Sequence, residues 1–194
     1  VCGMRDDTFR RSYLRHADVD ILAILETQCS SRDEEEAWAK DWRGQAFFAT
    51  HSRDPTSQSL TSHRGIALLL SDSHALGPGR VLHTDPDGRY LAVLTTIYSR
   101  PTLLLVLHAD CGPSQASFYQ QVQKMIRPLD PSVDVIVLAD TNNRSHPLDY
   151  HSYSRATQPD PCNNPLGTAA LTSLLTSLGA SLDAFRYLHP TQRE

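Results

Sequence analysis

Lysine is nearly absent from this sequence: of 18 basic residues only Lys40 and Lys124 are Lys. Arginine supplies the other positive charges, and its planar fork of donors matches phosphate geometry, although a codon bias towards Arg gives the same composition. Acids outnumber bases, 22 to 18, for a net charge of -4. A mildly acidic chain has no global pull on nucleic acid or on an anionic membrane, which leaves only a local basic groove for such partners. Cysteine is scarce too. Cys2, Cys29, Cys111 and Cys162 form no CxxC pair, which leaves a zinc knuckle or a thioredoxin-like motif unsupported. Scattered thiols of this kind are expected reduced, in an intracellular protein. No apolar run approaches the roughly 20 residues of a membrane span, and no signal peptide is visible, so no membrane partner is expected. Repeats and low-complexity tracts are missing as well. The chain opens on Val1 rather than Met, as expected of a piece of a longer protein.

What is present is a soluble, globular composition, 40% hydrophobic and 21% charged over 194 residues. That is enough chain for one domain with a sizeable core. The spacing of apolar residues predicts a helix over 6–16, a short buried strand over Val19–Leu25, and a helix over Arg32–Trp42 opened by acids that suit its N-terminus. Strands follow over Gln45–His51 and Arg64–Asp72, with a polar loop at 52–62 between them. RVLHT and RYLAVLTTIY flank Asp85-Pro86-Asp87-Gly88, a strong hairpin signal. A second tight turn is expected at Ser99-Arg100-Pro101, with Thr102–Ala109 pairing back. Ser114–Ile126 is helical, Val133–Ala139 a strand, and Thr168–Leu178 a helix stopped by Gly179. The polar segment 142–166 is longer than loops usually are.

This order mixes antiparallel pairs with helical crossovers, and implies an α/β sandwich with helix-covered sheets. A dinucleotide-binding fold wants a Gly-rich turn after its first strand. After Leu25 the chain reads Glu26-Thr27-Gln28-Cys29-Ser30, with no Gly, which weighs against it.

Three strands end in polar residues. Ile21–Leu25 is followed by Glu26, Val106-Leu107 by His108, and Val135–Ala139 by Asp140, with Asn142 two further on. Such ends can converge on one crevice. A hard cation such as Mg²⁺ takes carboxylate oxygen and keeps several waters, and a metal so held polarises a phosphodiester and offsets charge. Each signal alone has a plainer explanation. A Glu after a strand more often finishes a turn, Asp-x-Asn more often makes an Asx turn, and a strand His is more often packed. Arg64 and Arg89 are more often surface charges than substrate clamps.

Order and spacing change that weighing. ADVDILAILET, HRGIALLLSD, DPDGRYLAVL, VIVLADTN and LDAFRYLHP follow one another from Ala17 to Pro190. Together they resemble the endonuclease/exonuclease/phosphatase superfamily, especially the AP-endonuclease-like domains of LINE-type retrotransposons. The resemblance implies a four-layer α/β sandwich of two mixed sheets flanked by helices. It makes Glu26 the metal ligand and Asp140 the group that positions or activates water. Asn142 would hold the scissile phosphate, and His108 would stand where the family has a phosphate-contacting Tyr. It implies Mg²⁺ or Mn²⁺ as cofactor and nucleic acid, DNA first, as partner. A downstream reverse transcriptase in the same polyprotein, and a nuclear location, follow from the retrotransposon branch.

The chain departs from the family at several points. Leu25 replaces a Gln, His108-Ala109-Asp110 replaces Tyr-Ala-Pro, and Ala139-Asp140-Thr141-Asn142 replaces Gly-Asp-Phe-Asn. The whole chain, 1–194, reads as a single partial domain. The family's first strand is expected before Val1, and its Ser-Asp-His strands after Glu194. None of His146, His151 or His189 stands in that context. The 194 residues alone are therefore expected to be poorly stable and essentially inactive. Two alternatives stay open: a phosphodiesterase of the same fold acting on RNA, inositol phosphate or lipid, and a catalytically dead remnant.

Overall fold

The structure is a computed structural model that describes residues 4, 6–50, 64–126, 130–143, 164–180 and 182–188. The loop expected at 52–62, most of the polar segment 142–166, and His146, His151 and His189 lie outside the described residues. The elements are α1 (Asp7–His16), β1 (Ile21–Leu25), α2 (Arg32–Asp41), β2 (Gly44–Ala49), β3 (Ile66–Ser71), β4 (Arg80–Thr84), β5 (Tyr90–Ile97), β6 (Arg100–His108), α3 (Gln115–Ile126), β7 (Asp134–Asp140), α4 (Pro165–Ser177) and α5 (Ala184–Leu188). No helix among them is long and apolar enough to cross a membrane.

The chain divides into two compact units, Val1–His108 with Asp130–Asp140, and Ala109–Leu129 with Thr141–Glu194. The first unit holds both sheets, ordered β1-β3-β2 and β4-β5-β6-β7. This is the α/β sandwich class expected from the sequence. One detail differs: the first sheet is antiparallel throughout its described strands, not mixed. The α2 crossover does leave β1 and β2 parallel to each other. However, β3 enters between them and pairs antiparallel with both. The second sheet is mixed, because β6 and β7 run parallel.

Local chemistry sets the element ends. Asp6 caps α1 by accepting from the Phe9 N–H at 2.9 Å. Ser31 caps α2 by accepting from Glu34 N–H, while the Glu34 carboxylate reaches back to the Ser30 N–H at 2.6 Å. The Phe9 and Glu34 bonds satisfy donors that the first helical turn leaves over, and the Ser30 bond ties down the residue before the cap. The β5–β6 turn is at Tyr98-Ser99, not at Ser99-Arg100-Pro101. Both residues take left-handed φ, 48° and 66°, the backbone that a tight hairpin demands. Pro101 then falls inside β6 one residue before β7 pairing begins at Thr102, where its missing N–H removes no bond to β7. In the second unit α3 packs on α4. That helix starts at Pro165, three residues before the expected Thr168, because Asn164 caps it by accepting from Gly167 N–H and Pro suits a first-turn position. Gly179 ends it at φ 66°, as expected.

Two apolar layers fill the first unit. Ala67 and Leu69 of β3 pack with Ile24, Leu14, Trp38 and Trp42 on the helix side. Ile66, Leu68 and Leu70 pack with Leu91, Val93, Leu104 and Val106 of the second sheet. The helix side also buries a charge. Arg10 and Asp41 are 4% and 5% exposed, and Arg10 Nε and Nη2 both donate to Asp41 Oδ2, at 3.2 and 3.0 Å. Arg11 Nε donates to the other oxygen at 3.1 Å, and the Arg10 guanidinium lies over the Trp38 ring.

Removing one partner of a buried pair leaves the other charge uncompensated, at a cost of about 3–5 kcal/mol. Asp41→Ala should therefore lower the urea midpoint by that free energy with an unchanged slope; a loss under about 1 kcal/mol contradicts a buried pair. Cys29 gives a pH dependence. Burial pushes its thiol up to about 11 from 9.0, with Glu34 and Glu35 adding to the rise and Thr27 and Arg10 opposing it. Burial likewise raises the Tyr90 phenol, with Asp85 adding and Arg89 opposing. A raised acid pKa favours the protonated native state, so this stability is complete below the unfolded pKa and is lost as pH rises from about 9 through about 11. Denaturation at pH 8 and pH 10.5 should show a smaller pH loss in Cys29→Ala than in the parent.

Candidate functional site

β1 runs out of apolar residues at Leu25, and the backbone then turns. Glu26 and Gln28 both take φ 57°, which a non-Gly residue adopts only when its surroundings impose it. The imposing contacts are main-chain bonds. Thr27 N–H donates to Gly65 O at 3.1 Å, and Gln28 N–H to Arg64 O at 2.9 Å. Gly65 N–H in turn donates to Gly88 O at 3.1 Å, and His108 N–H to Arg89 O at 2.8 Å. The ends of β1 and β6 are thus tied through the start of β3 and the β4–β5 hairpin.

Two glycines permit this closeness. Gly65 has φ 103°, and a Cβ there would lie 2.5 Å from Thr27 Oγ1. Gly88 has φ 68°, and a Cβ there would lie 3.0 Å from Gly65 N and 3.1 Å from Ala49 O, both backbone. Neither position admits a side chain without moving the clasp. Arg89 is held from the same hairpin: its Nε donates to the buried Asp85 at 2.8 Å and its Nη2 meets Asp87 at 3.2 Å. Arg64 Nη1 reaches Asp87 at 3.7 Å. Both arginines are largely buried, 16% and 20% exposed by side chain, so they are parts of this hairpin's ion-pair cluster and not solvated surface charges.

The clasp brings together the polar strand ends picked from the sequence. His108 Nε2 lies 3.6 Å from Glu26 Oε1. His108 is buried, and its Nδ1 has no partner among the described residues. Across the second sheet His108 stands opposite Asp140 in the parallel β6–β7 register. Glu26 and the exposed Asp140 both line one cavity of about 490 Å³, whose other walls include Phe9, Tyr13 and the length of β1. A larger cavity, about 670 Å³, lies around Asp20, Trp42 and Ser71 at the opposite end of the first sheet, away from these groups. Asn142 belongs to the second unit, with φ 44° and its amide donating to Ala109 O at 2.8 Å.

Glu26 and Asp140 offer hard carboxylate oxygens. Mg²⁺ is usually held by only one or two carboxylates with water and phosphate completing its shell, so this donor set fits it. No three His, Cys, Asp or Glu side chains among the described residues converge as a full cage. The sequence did not single out Asp85, nor Gly65 and Gly88 as close-approach positions. For Asp85 and Gly88 the Asp-Pro-Asp-Gly turn was the one signal, and it spoke only of a hairpin; Gly65 stood only in the HRGIALLLSD stretch.

No protein-family profile matches this sequence, and no curated protein matches it. The solved structures do. The α/β sandwich is a fold shared with an AP endonuclease. The chain superposes on AP endonuclease LMAP from Leishmania major with a TM-score of 0.70 at 15% identity, over 98% of this chain. It spans 66% of the length of that enzyme. A partial likeness to humanized D. rerio TDP2 carrying 14 mutations, at TM-score 0.49 and 16% identity over 74% of this chain and 59% of that one, adds nothing to the fold assignment.

Proposed function

We propose that this chain is part of a metal-dependent phosphodiesterase, and within that class a DNA endonuclease domain of a retrotransposon-type polyprotein that acts in the nucleus. The observation that carries the chemistry is the convergence of Glu26 and His108, 3.6 Å apart, with Asp140 in register beside His108. Glu26 would hold Mg²⁺ or Mn²⁺ through its carboxylate, and the ion when bound would supply Lewis acidity and offset charge on the phosphate. Asp140 accepts the proton of the attacking water, for which an exposed carboxylate at a strand end is suited. Asn142, two residues on, donates from its amide to a phosphate oxygen, and His108 orients Glu26. DNA and a downstream reverse transcriptase as partners are supported by the LDAFRYLHP segment and the AP-endonuclease-like fold.

No Ser-Asp-His triplet occurs in the 194 residues. A missing acid/base group typically costs roughly 10²–10⁴-fold in rate, so these residues alone should turn over very little. One observation favours a second function. His108 Nε2 stands 3.6 Å from the Glu26 carboxylate, where it would compete with a metal, as in a noncatalytic remnant of the fold. The net charge of -4 also suits a smaller anionic substrate, an RNA end, inositol phosphate or lipid head group, no worse than long DNA.

The test is nicking of supercoiled plasmid by the chain carrying its natural flanking sequence. Nicking should require Mg²⁺ or Mn²⁺, and Glu26→Gln and Asp140→Ala should each lower it by at least about 100-fold. Nicking that survives Asp140→Ala contradicts the assignment. No nicking with either ion favours the remnant.

A further inference from the structure

Within the second unit, the segment that opens at Thr141 is held in a way that strand pairing does not explain. Two consecutive carbonyls, of Thr141 and Asn142, accept hydrogen bonds from side chains one turn apart on α3. Tyr119 Oη donates to Thr141 O at 2.9 Å. Gln115 Nε2 donates to Asn142 O at 2.7 Å and to Thr141 O at 3.3 Å. Both side chains are buried, Gln115 to 1% exposure and Tyr119 to 0%. Their spacing of four places them on one face of the helix.

Gln115 is a costly way to fill a core. Its Oε1 has no partner among the described residues, and a buried acceptor without one weakens the fold. Packing alone would favour Leu or Met at this position. What Gln supplies and they do not is the pair of N–H donors aimed at the 141–142 carbonyls. The helix opposite makes room for it: a Cβ on Gly167 would lie 2.6 Å from Gln115 Oε1. The segment is tied elsewhere too. Asn142 Nδ2 donates to Ala109 O at 2.8 Å, and Thr168 Oγ1 donates to Asn143 Oδ1 at 3.0 Å. Asn142 keeps its left-handed φ of 44° inside this set of bonds.

We propose that Gln115 and Tyr119 are positioning residues, which fix the backbone just after Asp140 so that Asn142 presents one conformation to the substrate phosphate. The proposal rests on the hydrolytic role given to Asp140 and Asn142 above. Neither α3 side chain touches substrate; each acts through the two carbonyls. Fixing a contact made only in the reacting complex changes kcat more than KM.

The test compares the chain carrying its natural flanking sequence, as parent, with its Gln115→Met variant, which keeps volume and removes the donors, and its Tyr119→Phe variant, which removes one hydroxyl. Hydrogen exchange of a peptide covering 138–143 is followed with the thermal midpoint, and kcat and KM are measured on a phosphodiester oligonucleotide. Exchange in that peptide should rise about 10-fold in either variant, from a bond worth about one decade. The kcat should fall roughly 10- to 100-fold with KM nearly unchanged, while α4 exchange stays as in the parent. Unchanged exchange at 138–143 overturns the proposal whatever the turnover. Raised exchange with parental kcat overturns it as well. If exchange rises but the parent itself hydrolyses nothing, the held conformation stands and the hydrolytic role of the site falls.

Discussion

β3 is the strand on which the first unit depends. Ile66 to Leu70 are each 0% exposed, and alternate residues serve different layers. Ile66, Leu68 and Leu70 enter the core between the sheets, while Ala67 and Leu69 enter the core under α1 and α2. A strand that feeds two cores must be apolar at every position, since successive side chains point to opposite faces. Its main chain is equally committed, to β1 on one edge and β2 on the other. Trp42 at the end of α2 donates its indole N–H to Leu70 O at 2.9 Å. Loss of β3 would separate every layer of the unit at once.

The candidate site is a consequence of the same strand. The residues just before β3, Arg64 and Gly65, receive the backbone of Thr27 and Gln28 and pass the connection to Gly88. Arg89 carries it to His108. Glu26 is therefore placed by bonds to its neighbours' main chain, and its carboxylate faces His108 Nε2 at 3.6 Å. A left-handed Glu is tolerable only because this clasp over-determines it. Stability and site geometry thus share one set of hydrogen bonds, and the glycines at 65 and 88 serve both.

Much of the fold was legible because it is written in local periodicity. The apolar run within Arg64–Asp72 reads as a strand, and Gly179 reads as the stop of its helix, as the structure has them. Sheet order was not legible. That β3 separates β1 from β2 depends on which edges meet in space, and an apolar run looks alike beside either neighbour. Similarly, Glu26 and Asp140 stood out as polar residues ending apolar runs. That His108 reaches Glu26 could not be read, since 82 residues separate them in the chain. The Tyr98-Ser99 turn was misplaced by one residue because Pro101 pulled the expected break towards itself, when it was the left-handed pair before Arg100 that made the bend.

The central claim is that the end of β1 holds a divalent ion through Glu26. The most direct measurement is a Mn²⁺ titration of the ¹⁵N-labelled chain followed by NMR line broadening. Substoichiometric Mn²⁺ should broaden the amides of Glu26 to Gln28, His108 and Asp140 first, and Glu26→Gln should abolish the effect without shifting signals from β3. Broadening that centres elsewhere, or that survives Glu26→Gln, would contradict it.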